Sequence, residues 1–122
     1  MSENQRLPFR VEHDVMVEMR DGVRLATDIF LPLEDEAASP LPVLFYRTPY
    51  SKDLMAANYG FASWLAQRGY VVVQQDCRGC FKSEGDLNFM LAEAEDGCDT
   101  LSWFDRQPWG NADVGCFGTT WT

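Results

Sequence analysis

The chain has 122 residues, enough for one small domain, and 46% of them are hydrophobic, which supports a core and argues against disorder. Ten basic residues stand against nineteen acidic ones, a formal charge of −9. Nucleic acid and anionic membrane surfaces are held chiefly by Lys and Arg, so neither is an expected partner. The opening "MSENQRLPFR" has no apolar h-region, and no apolar run approaches the ~18 residues of a membrane span, so a cytoplasmic protein is expected.

In chain order, His13 to Met19 and Arg24 to Leu31 are alternating runs around Asp21-Gly22, the pattern of a β-hairpin. Leu25, Thr27, Ile29 and Leu31 share one predicted face, with Arg24, Ala26 and Asp28 on the other. "EDEAASPLP" is a loop, and Val43 to Tyr46 is a short continuous apolar strand of the kind buried on both faces. Tyr59 to Arg68 has helical spacing, with Phe61, Trp64 and Leu65 on one stripe and Gly69 as the C-terminal cap. Tyr70 to Val73 is a second apolar strand, and Gly79 to Asn88 reads as loop. Leu91 to Arg106 is the best helix. Leu91, Ala94, Cys98, Leu101 and Phe104 form its predicted core stripe, and Glu93, Glu95 and Asp96 load its positive end. "VGCFG" is a third buried strand. Strands alternating with helices after a hairpin predict an α/β fold with a mixed, mostly parallel sheet that starts in an antiparallel hairpin.

The closing "VGCFGTTWT" (Val114 to Thr122) has the context of a nucleophile elbow, a strand running into Gly-x-nucleophile-x-Gly. Gly118 fits the first glycine, Thr120 the nucleophile, and Trp121 the residue whose backbone N–H helps form the oxyanion hole. Thr122 stands in place of the second glycine. Threonine carries a hydroxyl able to attack a carbonyl. Its methyl crowds the approach, however, and a β-branched residue at positive φ is strained.

Several other groups invite chemistry. Cys77-Arg78-Gly79-Cys80 is a C-x-x-C that could be a redox pair or half a zinc site. Cys98 and Cys116 stand apart on a helix and a strand, so incidental thiols are favoured. His13 reads as an exposed or half-buried strand residue, and Asp76 with Arg78 as the pair that fixes the "QDCRG" loop. The acids of "AEAEDGCD" read as a helix start and solvated face. Trp64, Trp103 and Trp109 read as packing.

The chain resembles the cocaine esterase/X-prolyl dipeptidyl-peptidase family of α/β-hydrolases. The matching stretches are "MRDGVRLATDIFLP", "PVLFYRTPYSK", "WLAQRGYVVVQQDCRG", "SEGD", "AEDGCDTLSWFDRQPWGNADVGCFG" and the elbow, in order from His13 onward. The resemblance implies the N-terminal part of an α/β-hydrolase fold. Residues 1–12 would be an N-terminal tail and 13–122 part of a catalytic domain, without the family's helical cap and C-terminal jelly roll. It implies hydrolysis of carboxylic esters or X-prolyl-type peptide amides by acyl-enzyme chemistry, with a small ester or short peptide as substrate and no metal or organic cofactor. The family gives the tyrosine of "PY", here Tyr50, a phenol role in the oxyanion hole, and puts a serine at the position of Thr120. Its acid and histidine would follow residue 122, so these residues alone are expected to be inactive. Ending on an apolar strand would leave an edge that invites pairing with a second copy. The rival readings are a non-catalytic hydrolase-fold binding protein and a C-x-x-C redox protein.

Overall fold

The computed structural model describes residues 8–33, 41–54, 60–86 and 92–116. Its elements are β1 (Phe9–Glu18), β2 (Arg24–Pro32), β3 (Leu41–Thr48), α1 (Phe61–Ala66), β4 (Val71–Asp76), α2 (Glu93–Phe104) and β5 (Gly110–Cys116). The strands form one mixed sheet in the order β1-β2-β4-β3-β5. β2 is antiparallel to both β1 and β4, whereas β3 runs parallel to β4 and to β5. This is the expected α/β architecture with a leading hairpin.

The hairpin closes at Asp21-Gly22, where Gly22 takes φ 86 and its N–H bonds the Met19 carbonyl at 2.9 Å. β1 begins at Phe9 rather than His13, and it is not a plain alternating strand. Glu12 pairs Ile29 and Val15 pairs Thr27, so His13 and Asp14 together oppose Asp28 alone. This bulge puts Asp14 at φ 54 and re-aims its side chain. The alternation of β2 puts Ala26 and Asp28 on the face opposite Leu25, Thr27 and Ile29, and both faces are buried, from Leu25 to Pro32. Helix α1 covers part of the second face, because Ala62 and Ala66 pack on Phe30 and Val72. A buried ammonium explains the rest, as described below.

The two helices cover opposite faces. α2 brings Phe104 onto Ile29, Leu31, Val43, Phe45, Val71 and Val73, and Trp109 joins that cluster. The Phe104 ring meets Phe45 edge-on at 5.1 Å between centroids. Opposite faces are what right-handed crossovers require here, since β3 to β4 steps one way across the sheet and β4 to β5 steps back past β3.

Both helices end or pack differently from the periodicity. α1 closes as expected on Gly69 (φ 96), with Tyr70 N–H on the Leu65 carbonyl and Gly69 N–H on the Ala66 carbonyl, a Schellman arrangement. Trp64 is exposed, however, with the Arg68 guanidinium 3.8 Å above its ring, because the small residues Ala62 and Ala66 make the sheet contact. In α2 the buried stripe is Asp96, Thr100 and Phe104, while Ala94, Cys98 and Leu101 face outward. The reason is the sheet beneath, since β4 is apolar for Val71–Val73 and polar for Gln74–Asp76. Thr100 accepts from Gln75 Nε2 at 3.2 Å and donates to the Asp96 carbonyl at 2.8 Å, so a polar stripe meets a polar strand end. Leu91 lies outside the described residues. The part of β5 whose burial is described, 113–116, is not buried as expected. The strand pairs only with β3 among the described strands, and Asp113, Gly115 and Cys116 are exposed.

Truncating Phe104, which touches both β3 and Trp109, should cost about 3–5 kcal/mol. Urea unfolding of Phe104→Ala checks this, and a loss below about 1 kcal/mol would mean that the aromatic cluster is not a packed core.

Candidate functional site

The parallel strands β3, β4 and β5 all run toward one end of the sheet, where Thr48 pairs with Asp76. In open α/β sheets the crevice outside the carboxyl ends of the strands, at the point where the strand order reverses, is where ligands bind. Here the reversal falls between β3 and β5.

Tyr50 sits at that end, two residues past β3, and is 40% exposed. Its neighbours are not exposed. Thr48, Ser51 and Lys52 are all buried. Tyr50 N–H donates to Thr48 Oγ1 at 2.9 Å, and Lys52 N–H donates to Asp76 Oδ1 at 2.8 Å. Between them Ser51 takes φ 79, a left-handed conformation that costs a non-glycine residue energy, and its hydroxyl accepts the Leu54 N–H at 3.3 Å.

Lys52 is the residue that the sequence reading missed. Its side chain is fully buried, and its ammonium reaches Asp14 Oδ1 at 2.7 Å, Asp28 Oδ1 at 3.0 Å and Asp53 Oδ1 at 3.0 Å. Three N–H donors therefore meet three carboxylates, which leaves the buried cation fully paired. Asp28 is itself buried, so neither partner could stand there alone. Asp14 and Asp53 turn their second oxygens to Lys82, whose ammonium lies at 3.3 and 3.0 Å from them. Lys82 N–H also reaches Asp76 Oδ2 at 3.3 Å. These contacts tie β1, β2 and the loops after β3 and β4 into one ionic knot. Ligand atoms of Asp14, Asp28 and Asp53 cluster tightly enough to hold a metal ion, but the Lys52 ammonium is the cation they surround. His13 stands exposed beside the knot, with Nδ1 3.3 Å from Asp28 Oδ2.

The protonation states follow from these contacts. Burial disfavours the Lys52 ammonium, but the hydrogen bonds to Asp14, Asp28 and Asp53 outweigh it and raise its pKa above the ordinary value. The Lys52 hydrogen bond holds Asp14 below the usual carboxylate range. At Asp53 burial acts upward, and the Lys82 and Lys52 hydrogen bonds overcome it to leave a lowered pKa. Asp76 goes the other way, raised by burial against the pull of the Lys52 and Lys82 backbone N–H groups.

Asp76 and Arg78, the residues expected to fix the "QDCRG" loop, do so through different partners, Asp76 through the Lys52 and Lys82 N–H groups and Arg78 through a second network. Arg78 is bidentate to Asp96, at 2.9 and 2.8 Å, and to Asp21, at 2.9 and 3.2 Å, so it joins the loop to α2 and to the hairpin turn. Arg47 pairs with Glu93 and donates to Gln75 Oε1 at 2.8 Å. Arg20 holds Asp99 at 2.9 Å and Glu95 at 3.4 Å. The acids of α2 are thus docking groups, not only a solvated face. In "SEGD", Ser83 Oγ donates to the Asp76 carbonyl at 2.6 Å and accepts the Ala26 N–H at 2.8 Å, which pins the loop to β2. Gly85 has φ 88, and a Cβ there would meet Arg78 Cγ and Val23 Cγ1 at 3.0 Å each.

Cys77 and Cys80 are buried, whereas Cys98 and Cys116 are exposed, and all four are free thiols. Burial pushes both Cys77 and Cys80 thiols up, the reverse of a reactive redox cysteine. Trp103 and Trp109 pack with Phe104 as expected, with ring centroids 6.0 and 5.9 Å from their neighbours. Thr120, Trp121 and the rest of the elbow lie outside the described residues.

The strand order and the leading hairpin are those of the α/β-hydrolase fold. Within that class the chain belongs to the X-Pro dipeptidyl-peptidase (S15) family, whose profile matches residues 21–122. It is 44% identical over 116 residues to cocaine esterase of Rhodococcus sp. (strain MB1 Bresler), covering 93% of this chain and 20% of that protein. It is 31% identical over 124 residues to a putative serine esterase of Mycobacterium bovis, covering 86% of this chain and 20% of that one. A CocE/NonD family hydrolase from Staphylococcus aureus superposes with TM-score 0.73 at 31% identity, over 87% of this chain and 22% of its own. The chain therefore spans about a fifth of the length of the curated relatives it matches. Among the described residues no helix is long and apolar enough to cross a membrane.

Two measurements probe these networks. Asp14 and Asp53 have lowered folded-state pKa values, so their contribution is present above the ordinary carboxylate range and is lost as pH falls through the folded values. The raised Lys52 value leaves its contribution intact on this acid side. Stability in urea should therefore decline below about pH 4, and Asp14→Asn should flatten that decline while lowering stability at neutral pH. An unchanged acid slope would remove Asp14 from the linkage. Under native alkylation, Cys98 should react well before Cys77 and Cys80, which become reactive only with denaturant; fast labelling of Cys77 would contradict its burial.

Proposed function

We propose that this chain is the N-terminal part of the catalytic domain of an acyl hydrolase acting on carboxylic esters or X-prolyl-type peptide amides. One observation carries the reading. β3 and β5 are adjacent and parallel, so Tyr50, two residues past the end of β3, and Thr120, four residues past the end of β5 in sequence, follow neighbouring strands that run toward the same edge of the sheet. The family membership and the esterase names of two relatives favour the same chemistry.

In this reading the hydroxyl of Thr120 attacks the substrate carbonyl. The carbonyl π electrons move to oxygen, and the Tyr50 phenol and the Trp121 backbone N–H donate hydrogen bonds to the resulting oxyanion. A histidine–aspartate pair after residue 122 takes the hydroxyl proton and returns it to the leaving group, giving an acyl-enzyme that water then cleaves. The substrate is a small ester or short peptide, the protein is cytoplasmic, and neither nucleic acid nor membrane takes part. Residues 1–122 alone, without that base, give no triad-dependent turnover.

Threonine in place of serine weakens attack, since its methyl crowds the nucleophile and strains the elbow by about 1–3 kcal/mol. Thr120 in place of serine and Thr122 in place of the second glycine favour a second reading, a hydrolase-fold protein that binds its ligand without cleaving it.

The test is kinetic and uses the full-length protein with a chromogenic ester. Thr120→Ser should raise kcat by roughly tenfold, the rate equivalent of about 1.4 kcal/mol. Thr120→Ala should abolish burst and turnover. Ester hydrolysis undiminished in Thr120→Ala overturns the placement of the nucleophile, and no turnover in Thr120→Ser favours the binding protein.

A further inference from the structure

Strain in this chain is not scattered. Among the described residues the non-glycine positions at positive φ are Asp14 (54), Ser51 (79) and Phe81 (49). Asp14 is a member of the ionic knot, Ser51 precedes Lys52, and Phe81 precedes Lys82. Such conformations persist only where the surroundings over-determine them, and they gather where geometry matters. Each one here delivers a charged side chain to the same knot.

The loop that carries Tyr50 is held on both sides, and the knot supplies the downstream hold. Upstream, buried Thr48 accepts the Tyr50 N–H through Oγ1. Downstream, Lys52 is held twice, by its N–H on Asp76 Oδ1 and by its ammonium among Asp14, Asp28 and Asp53. Asp28 Oδ1 also accepts the Asp14 N–H at 2.9 Å, which fixes the bulge that supplies one of those carboxylates. Tyr50 stays 40% exposed while Thr48 before it and Ser51 and Lys52 after it are buried. A donor preorganised in this way spends no reorganisation when charge develops on the substrate.

We propose that Lys52 is a positioning residue for the Tyr50 phenol, its buried ammonium clamped by Asp14, Asp28 and Asp53 so that the strained Ser51 turn holds the phenol fixed at the carboxyl end of β3. Lys52 touches no substrate and transfers no proton. It acts through the backbone of the two residues before it. This rests on the oxyanion role of Tyr50 proposed above.

A double-mutant cycle tests it, run in full-length protein on the Thr120→Ser background, where the nucleophile is unhindered. Tyr50→Phe should lower kcat on the order of 10²-fold with little change in KM. Lys52→Met should lower kcat on the order of tenfold or more, again with KM within about threefold, because a misplaced donor is lost chiefly in the transition state. Adding Lys52→Met to Tyr50→Phe should then change kcat by less than about threefold, since no phenol remains to be placed. Lys52→Met costing the same factor in both backgrounds, or acting through KM, overturns the proposal and leaves the role of Tyr50 standing. A Tyr50→Phe protein with undiminished kcat overturns both. If Lys52→Met does not fold, Asp53→Asn serves instead, because its carboxylate is half-exposed and only one of three around Lys52. It should show the same dependence on Tyr50 at smaller amplitude, and a cost that is equal in the two backgrounds again overturns the proposal.

Discussion

A fully buried ammonium surrounded by three carboxylates is the constraint around which this end of the sheet is organised. Lys52 cannot be buried without Asp14, Asp28 and Asp53, and Asp28 cannot be buried without Lys52. Removing one partner from such a buried group typically costs about 3–5 kcal/mol, whereas an exposed pair contributes about 0–1. The β1 bulge and the left-handed turn at Ser51 both make sense as accommodations to it. The bulge brings Asp14 over Asp28, and the turn at Ser51 sends Lys52 inward two residues after Tyr50.

The sheet is divided along its strands rather than across them. β3 and β4 begin apolar and end polar, running from Val43 to Thr48 and from Val71 to Asp76. Their apolar halves make the core with Phe104 and Trp109, and their polar halves take partners from α2, from β2 and from the loops that follow them. Arg78 and Lys52 each gather carboxylates from at least two elements there. The ion pairs and hydrogen bonds at this polar end keep the loops that emerge from it in one arrangement, although the buried Gln74 amide and Arg47 Nη2 find no hydrogen-bond partner among the described residues. That is the end where an α/β sheet places its chemistry.

Much of the fold was legible because its signals are local. Continuous apolar runs at Val43–Tyr46 and Val71–Val73, the Asp21-Gly22 turn and the Gly69 cap each report a backbone preference that needs no distant partner. The motif stretches, read in order, led to the family that the profile match shows. The misreadings share one cause. The α2 stripe was drawn from apolar residues alone, so it chose Cys98 and Leu101 over Asp96 and Thr100. Trp64 was assigned to the core for its size, where the sheet accepted only Ala62 and Ala66. Lys52, within "RTPYSK", carries no local signal of burial, because a lysine in a turn looks solvated until its three partners are placed.

By itself, the sequence determined the class of fold, the order of its elements and the family, since hydrophobic period, turn residues and motif spacing are written along the chain. It also singled out Tyr50 through resemblance. Only the tertiary structure decided which polar residues are buried and why. Asp14, Asp28, Lys52, Asp53 and Lys82 are spread over nearly seventy positions, and charge pairing depends on distances between atoms that are set by sheet register, a bulge and two strained turns. No local pattern encodes those distances, so the knot became visible only once the chain was folded.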